Sequence, residues 1–111
     1  MDKLARYRRA VMDALTKYGS YTPLHPEIEK QLIFDTERDH YQLVHNGWRG
    51  HERTYGCSVH IDIKDGQVWI QEDVTDFDVA GELLARGVAR EDIVLGFLSP
   101  RMRQHSEFAA A

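Results

Sequence analysis

From Thr54 to Lys64 apolar and polar residues alternate with period two: Tyr55, Cys57, Val59, Ile61 and Ile63 fall on one side, and Gly56, Ser58, His60 and Asp62 on the other. That period suits a half-buried β-strand and scatters the apolar residues around a helix, so the tract has one reading. Asp65-Gly66 then supplies two residues that accept positive φ, and Gln67-Val68-Trp69-Ile70-Gln71 follows as a return strand. A hairpin with one apolar face needs a layer to cover it, which points to helices packed on one side of an antiparallel sheet, with the other side partly open.

The flanking segments supply both parts. Leu4, Tyr7, Val11, Ala14 or Leu15, and Tyr18 recur at helical spacing, and Gly19 stands where a helix would stop. Phe77, Val79, Ala80, Leu83 and Leu84 predict a second, short helix, capped by Thr75 or Asp76 and ended by Gly87-Val88. Gln31–Asp35 and His40–Val44 read as another hairpin around Thr36-Glu37-Arg38-Asp39, with Leu32, Phe34, Tyr41 and Leu43 as its core set. Pro23 and Pro26 mark a connecting loop, and Gly47-Trp48-Arg49-Gly50 reads as a turn or bulge. Arg90 to Phe97 reads as a brief turn and an extended apolar segment whose pairing is open. The expected fold is therefore α+β: one domain over residues 1–111, a four-stranded antiparallel meander, and the N-terminal and second helices packed on it.

A chain of 111 residues, 42% hydrophobic and 29% charged, has the size and composition of one globular domain with one core. No apolar run approaches the roughly 18 residues that would suggest a membrane span, and no leader-like segment opens the chain, so no membrane partner and a cytoplasmic location are expected. Cys57 is the only cysteine, which excludes an internal disulfide; strict alternation makes it a buried structural thiol on the core face. The net charge of -4 is unevenly spread. Residues 1–19 carry five basic and two acidic side chains, residues 20–100 seven basic and fifteen acidic. The body would repel a phosphate backbone, and only the first helix, with Arg6, Arg8 and Arg9, offers a basic surface.

His60 and Asp62 lie two apart on a strand and share a face, and His40 joins them if the hairpins stack in register. Two His and one carboxylate would suit zinc or non-haem iron. With His40 conditional, a polar cross-strand pair or a partner contact is the expected role of His60 and Asp62, and no metal or other cofactor is expected. Asp35, Glu37 and Asp39 cluster at a turn without the lysine spacing of a nuclease, and no phosphate-binding loop or nucleophile elbow occurs. Trp48 and Trp69 are candidate interface anchors, since large aromatics with a polar edge are enriched there, with core packing as the alternative.

Three blocks carry a resemblance: Leu32-Ile33-Phe34-Asp35-Thr36-Glu37-Arg38-Asp39-His40-Tyr41-Gln42-Leu43, Tyr55-Gly56-Cys57-Ser58-Val59-His60-Ile61-Asp62-Ile63-Lys64-Asp65-Gly66 and Glu91-Asp92-Ile93-Val94-Leu95-Gly96-Phe97. Together they resemble the XisI-like family over nearly the whole chain. The resemblance implies a non-catalytic control factor for the developmentally regulated excision of the fdxN DNA element in cyanobacteria during heterocyst differentiation. It further implies a XisH-like companion of restriction-endonuclease-like fold as binding partner, and a separate recombinase. DNA would then be reached only through the excision complex. Trp48, His60, Asp62 and Trp69, read above from their own chemistry, are the candidate partner-binding residues. Two other readings are a weak DNA-binding accessory using Arg6, Arg8 and Arg9, and a metal-dependent enzyme using His60 and Asp62. Self-association is left open by the sequence.

Overall fold

The computed structural model describes residues 1–22 and 25–111; Pro23 of the expected loop lies outside them. The chain runs α1 (Lys3–Gly19), β1 (Ile28–Asp35), β2 (His40–Arg49), β3 (Glu52–Lys64), β4 (Gln67–Asp73), α2 (Val79–Ala85), a 3-10 turn at Arg90–Asp92, β5 (Ile93–Leu95) and α3 (Pro100–Arg103). The strands form one sheet in the order β1-β2-β3-β4-β5. The first four are antiparallel, as the meander requires, and β5 is a fifth strand parallel to β4. A parallel neighbour demands a crossover, which α2 provides.

The helices form where their caps say. The Asp2 carboxylate accepts a hydrogen bond from the Ala5 N–H at 2.7 Å and opens α1, whose Tyr7, Ala10, Val11, Ala14, Leu15 and Tyr18 are buried. Helix α2 is capped by Asp78, accepting from the Gly81 N–H at 3.0 Å, a few residues after the expected Thr75 or Asp76. Thr75 instead closes the preceding turn with Asp73. At the other end Gly87 has φ +94°, Val88 donates to the Leu83 carbonyl and Gly87 to that of Leu84, a Schellman ending with Val88 buried.

Both helices cover one face of the sheet, in a core with Tyr41, Leu43, Val59, Ile61, Ile63, Val68, Ile70 and Ile93. Phe34 packs against this core from β1, while Leu32, on the same edge strand, is exposed rather than buried. Polar ties fasten helix to sheet. Arg8 donates to both oxygens of Asp39 at 2.8 and 3.0 Å, and Tyr41 donates to Asp39 at 2.7 Å. Tyr7 donates to Asp92 at 2.6 Å and accepts from the Ala89 N–H. The Arg8 guanidinium holds the Asp39 carboxyl below its ordinary range, against the opposing effect of burial. A carboxyl depressed on folding adds stability above its unfolded value near 3.9, and this is lost as pH falls through the lower folded value. Asp39→Asn, which tolerates the φ of +61° at this position, is therefore expected to lower stability at neutral pH and flatten its fall below about pH 4, read by urea unfolding across pH.

Two irregularities decide what the uncovered face displays. Leu43 opposes Val59 but Val44 opposes Cys57, so Ser58 is an extra residue in β3. Past that bulge the alternation inverts: Cys57, Tyr55 and Arg53 lie on the face opposite Val59, and the expected core placement of Tyr55 and Cys57 is corrected. The second shift, where His60 opposes Glu72 and Ile61 opposes Ile70, makes Gln71 the extra residue of β4. Strand β2 also runs on through Gly47-Trp48-Arg49, where a turn or bulge was expected. The turn is Gly50-His51, with φ +62° at Gly50, the first loop position, as a II′-type hairpin requires. Gly47 serves a different need: a Cβ there would stand 2.6 Å from the Glu27 carbonyl oxygen.

Candidate functional site

The uncovered face of the sheet carries most of the candidate residues. Directly opposed residues of paired strands share a face. The pairs Gln42–His60, His40–Asp62, Val44–Cys57, Asn46–Tyr55 and Trp48–Arg53 therefore all lie on it. Ile33, opposite Gln42, extends it to β1, and Trp69, opposite Asp62, to β4. Val44 and Val94 are buried yet stand outside the helix-covered core cluster.

At the far end of the β2–β3 hairpin, Trp48 is 54% exposed and Tyr55 67%, and the Arg53 guanidinium lies 5.5 Å from one ring and 5.7 Å from the other. These three side chains form a row of aromatic, cation, aromatic. Ile33, 48% exposed, adds an aliphatic surface nearer β1. Arg53 and Ile33 were not singled out from sequence, and Tyr55 was read as a core residue. A turn placed at Gly50-His51 would have set Trp48 opposite Arg53.

Nearer the middle of the sheet, Asp62 collects three side chains. Its Oδ1 faces His40 Nδ1 at 2.7 Å and His60 Nε2 at 2.8 Å, and its Oδ2 accepts from the Gln71 amide at 3.1 Å. The register thus meets the condition set on His40. Burial raises the Asp62 carboxyl, but the hydrogen bonds with His40, His60 and Gln71, together with the charge at His60, outweigh it and hold it below the usual range. Gln71 is itself confined by Gly96, where a Cβ would collide with its amide oxygen.

Trp69 is half-buried, with the Lys64 ammonium 4.0 Å and the Arg103 guanidinium 5.0 Å from its ring centre. Arg103 is anchored in turn on the Leu98 and Gly96 carbonyls. Cys57 is half-buried rather than in the core where it was expected, and burial pushes its thiol up; it donates to the Val59 carbonyl. Asp35 accepts from the Glu37 and Arg38 N–H groups and organises the first hairpin turn, and Asp39 is tied to Arg8 and Tyr41, so these two carboxylates are engaged in structure. In α1, Arg8 is committed to Asp39 and Arg9 faces Asp13 at 3.3 Å, while Arg6 makes no ion pair among the described residues.

Residues 1–110 match the family model described as XisI protein. The crystal structure of a XisI-like protein from Anabaena variabilis ATCC 29413 is 46% identical, with a TM-score of 0.91, over 97% of this chain and 99% of that one. That of the fdxN element excision controlling factor XisI from the same organism is 35% identical, with a TM-score of 0.86, over 99% of this chain and 100% of that one. No curated protein matches.

Proposed function

Since the chain belongs to the XisI family, we propose that it is a non-catalytic control factor for excision of a DNA element, acting by binding a XisH-like partner of nuclease fold through the uncovered face of its sheet. The observation that carries this reading is the exposed row of Trp48, Arg53 and Tyr55. Trp, Tyr and Arg are the residues that dominate binding energy at protein interfaces, and water gains nothing from hydrating two large rings held apart from any core. His60, Asp62 and Trp69 lie on the same face, Trp69 half-buried with the Arg103 guanidinium of the C-terminal segment 5.0 Å from its ring. The acidic body fits a partner that must itself carry positive charge to hold DNA.

Direct DNA binding by α1 is the weaker reading, because two of its three arginines already face carboxylates. Co-expression with the companion followed by purification tests the proposal, with duplex titrations of each protein alone and of the pair. A stable complex is expected, and a lone chain that binds duplex no better than other acidic proteins at physiological salt. Arg6→Ala with Arg9→Ala, which spares the Arg8 ion pair, is expected to leave that background unchanged. Tight binding by the lone chain with a steep salt slope, lost in this variant, would favour the DNA reading.

A further inference from the structure

A hydrogen-bonded cross-strand pair accounts for Asp62 and one histidine; the second histidine is surplus to it. Both imidazoles converge on one carboxylate oxygen, and the three ligand atoms of His40, His60 and Asp62 all lie within 4.8 Å of one another. We propose that His40, His60 and Asp62 form a binding site for a divalent first-row metal ion of zinc type, with its remaining coordination position open to solvent on the uncovered face of the sheet.

The ligand chemistry is that of zinc sites with an open position: two imidazole nitrogens, one carboxylate oxygen and room for water. The framework is set by the backbone. His40 and Asp62 are directly paired residues of β2 and β3, and His60 is the next residue on the same face of β3. The carboxylate is oriented from behind by Gln71, whose amide holds the other oxygen at 3.1 Å, the kind of support that fixes a ligating group in place. Gly96 in turn leaves the space Gln71 occupies. Around a tetrahedral ion with bonds near 2.1 Å, ligand atoms stand about 3.4 Å apart. The present contacts of 2.7 and 2.8 Å open to that by small rotations. His40 is exposed and His60 half-buried, so both rings have room to turn. No reaction is attached to the site; the inference concerns binding alone and does not depend on the role in excision.

The test is titration of untagged, chelator-treated protein with zinc, followed by calorimetry and by thermal unfolding, and with cobalt(II), whose visible absorption reports coordination. Saturable uptake of one zinc per chain at micromolar zinc is expected, with a raised unfolding temperature. His40→Ala and His60→Ala should each remove the high-affinity uptake and the thermal shift, and Gln71→Leu should weaken uptake by about tenfold or more. His40 is exposed, so its variant keeps the fold and remains informative even if changes at Asp62 do not. Absence of saturable uptake at micromolar zinc overturns the proposal, as does uptake that His40→Ala and His60→Ala leave unchanged, which would place the ion on other histidines.

Discussion

Trp48→Ala combined with Tyr55→Ala is expected to abolish co-purification with the XisH-like companion while leaving the unfolding temperature almost unchanged. Each ring is more than half exposed and lies beyond the Ser58 bulge, outside the core cluster, so truncation removes little that folding uses. In an interface the same rings would be anchors, and truncating such an anchor costs about 2 kcal/mol or more, a factor of about 30 in affinity per residue. Arg53, whose guanidinium lies 5.5 and 5.7 Å from the two ring centroids, should behave likewise, since its loss removes the cation both rings face. Affinity of the variant for the companion by calorimetry, set beside its thermal unfolding, separates the two effects. Undiminished binding would move the docking surface elsewhere.

The opposite outcome is expected at the centre of the other face. Ile61 is fully buried between the sheet and α1 and α2, so Ile61→Ala should cost about 3 kcal/mol through lost transfer energy and an unfilled cavity. That is a large fraction of the roughly 5–15 kcal/mol that holds a domain of this kind together. Ile33→Ala, on the uncovered face, should cost at most about 1 kcal/mol. Urea unfolding of the two variants measures the contrast, and equal costs would mean that the uncovered face is packed after all.

What was legible in the sequence depended on how local its cause was. The Asp65-Gly66 turn, with φ +55° and +75°, and the Gly87-Val88 helix ending are decided by residues a few positions apart, and both stand as read. So does the alternation of Val59, Ile61 and Ile63, all buried on the helix-covered face. The Ser58 bulge left no such mark. An inserted residue keeps the written alternation of Tyr55, Cys57 and Val59 intact while turning the first two over, and only pairing with β2 shows it. Gly47-Trp48-Arg49-Gly50 misled for a similar reason. Its two glycines have different causes, a positive φ at Gly50 and a close approach of β1 to Gly47, and composition cannot tell them apart. The parallel pairing of β5 is equally non-local, since it needs α2 to carry the chain back across the sheet.

The site was legible to the same degree. His60 and Asp62 follow from period two on one strand, while His40 needed the register of two hairpins, which places it 2.7 Å from Asp62. Gln71 joined through a second bulge that nothing in its neighbours announces. The row of Trp48, Arg53 and Tyr55 came out of the inversion at Ser58, so Trp48 was found from its residue type alone and Tyr55 was assigned to the core. The basic helix is the converse case: its charge was plain, and its pairing of Arg8 with Asp39 across the fold was not.

Hydrogen exchange of the chain alone and in complex with the XisH-like companion separates docking on the open sheet face from docking on the helices. New protection is expected in the backbone amides of the hairpin from Val44 to Cys57, centred on Trp48 and Tyr55, with α1 unchanged. Protection confined to α1 and the helix-covered side, or no complex at all, would contradict docking on the open sheet face.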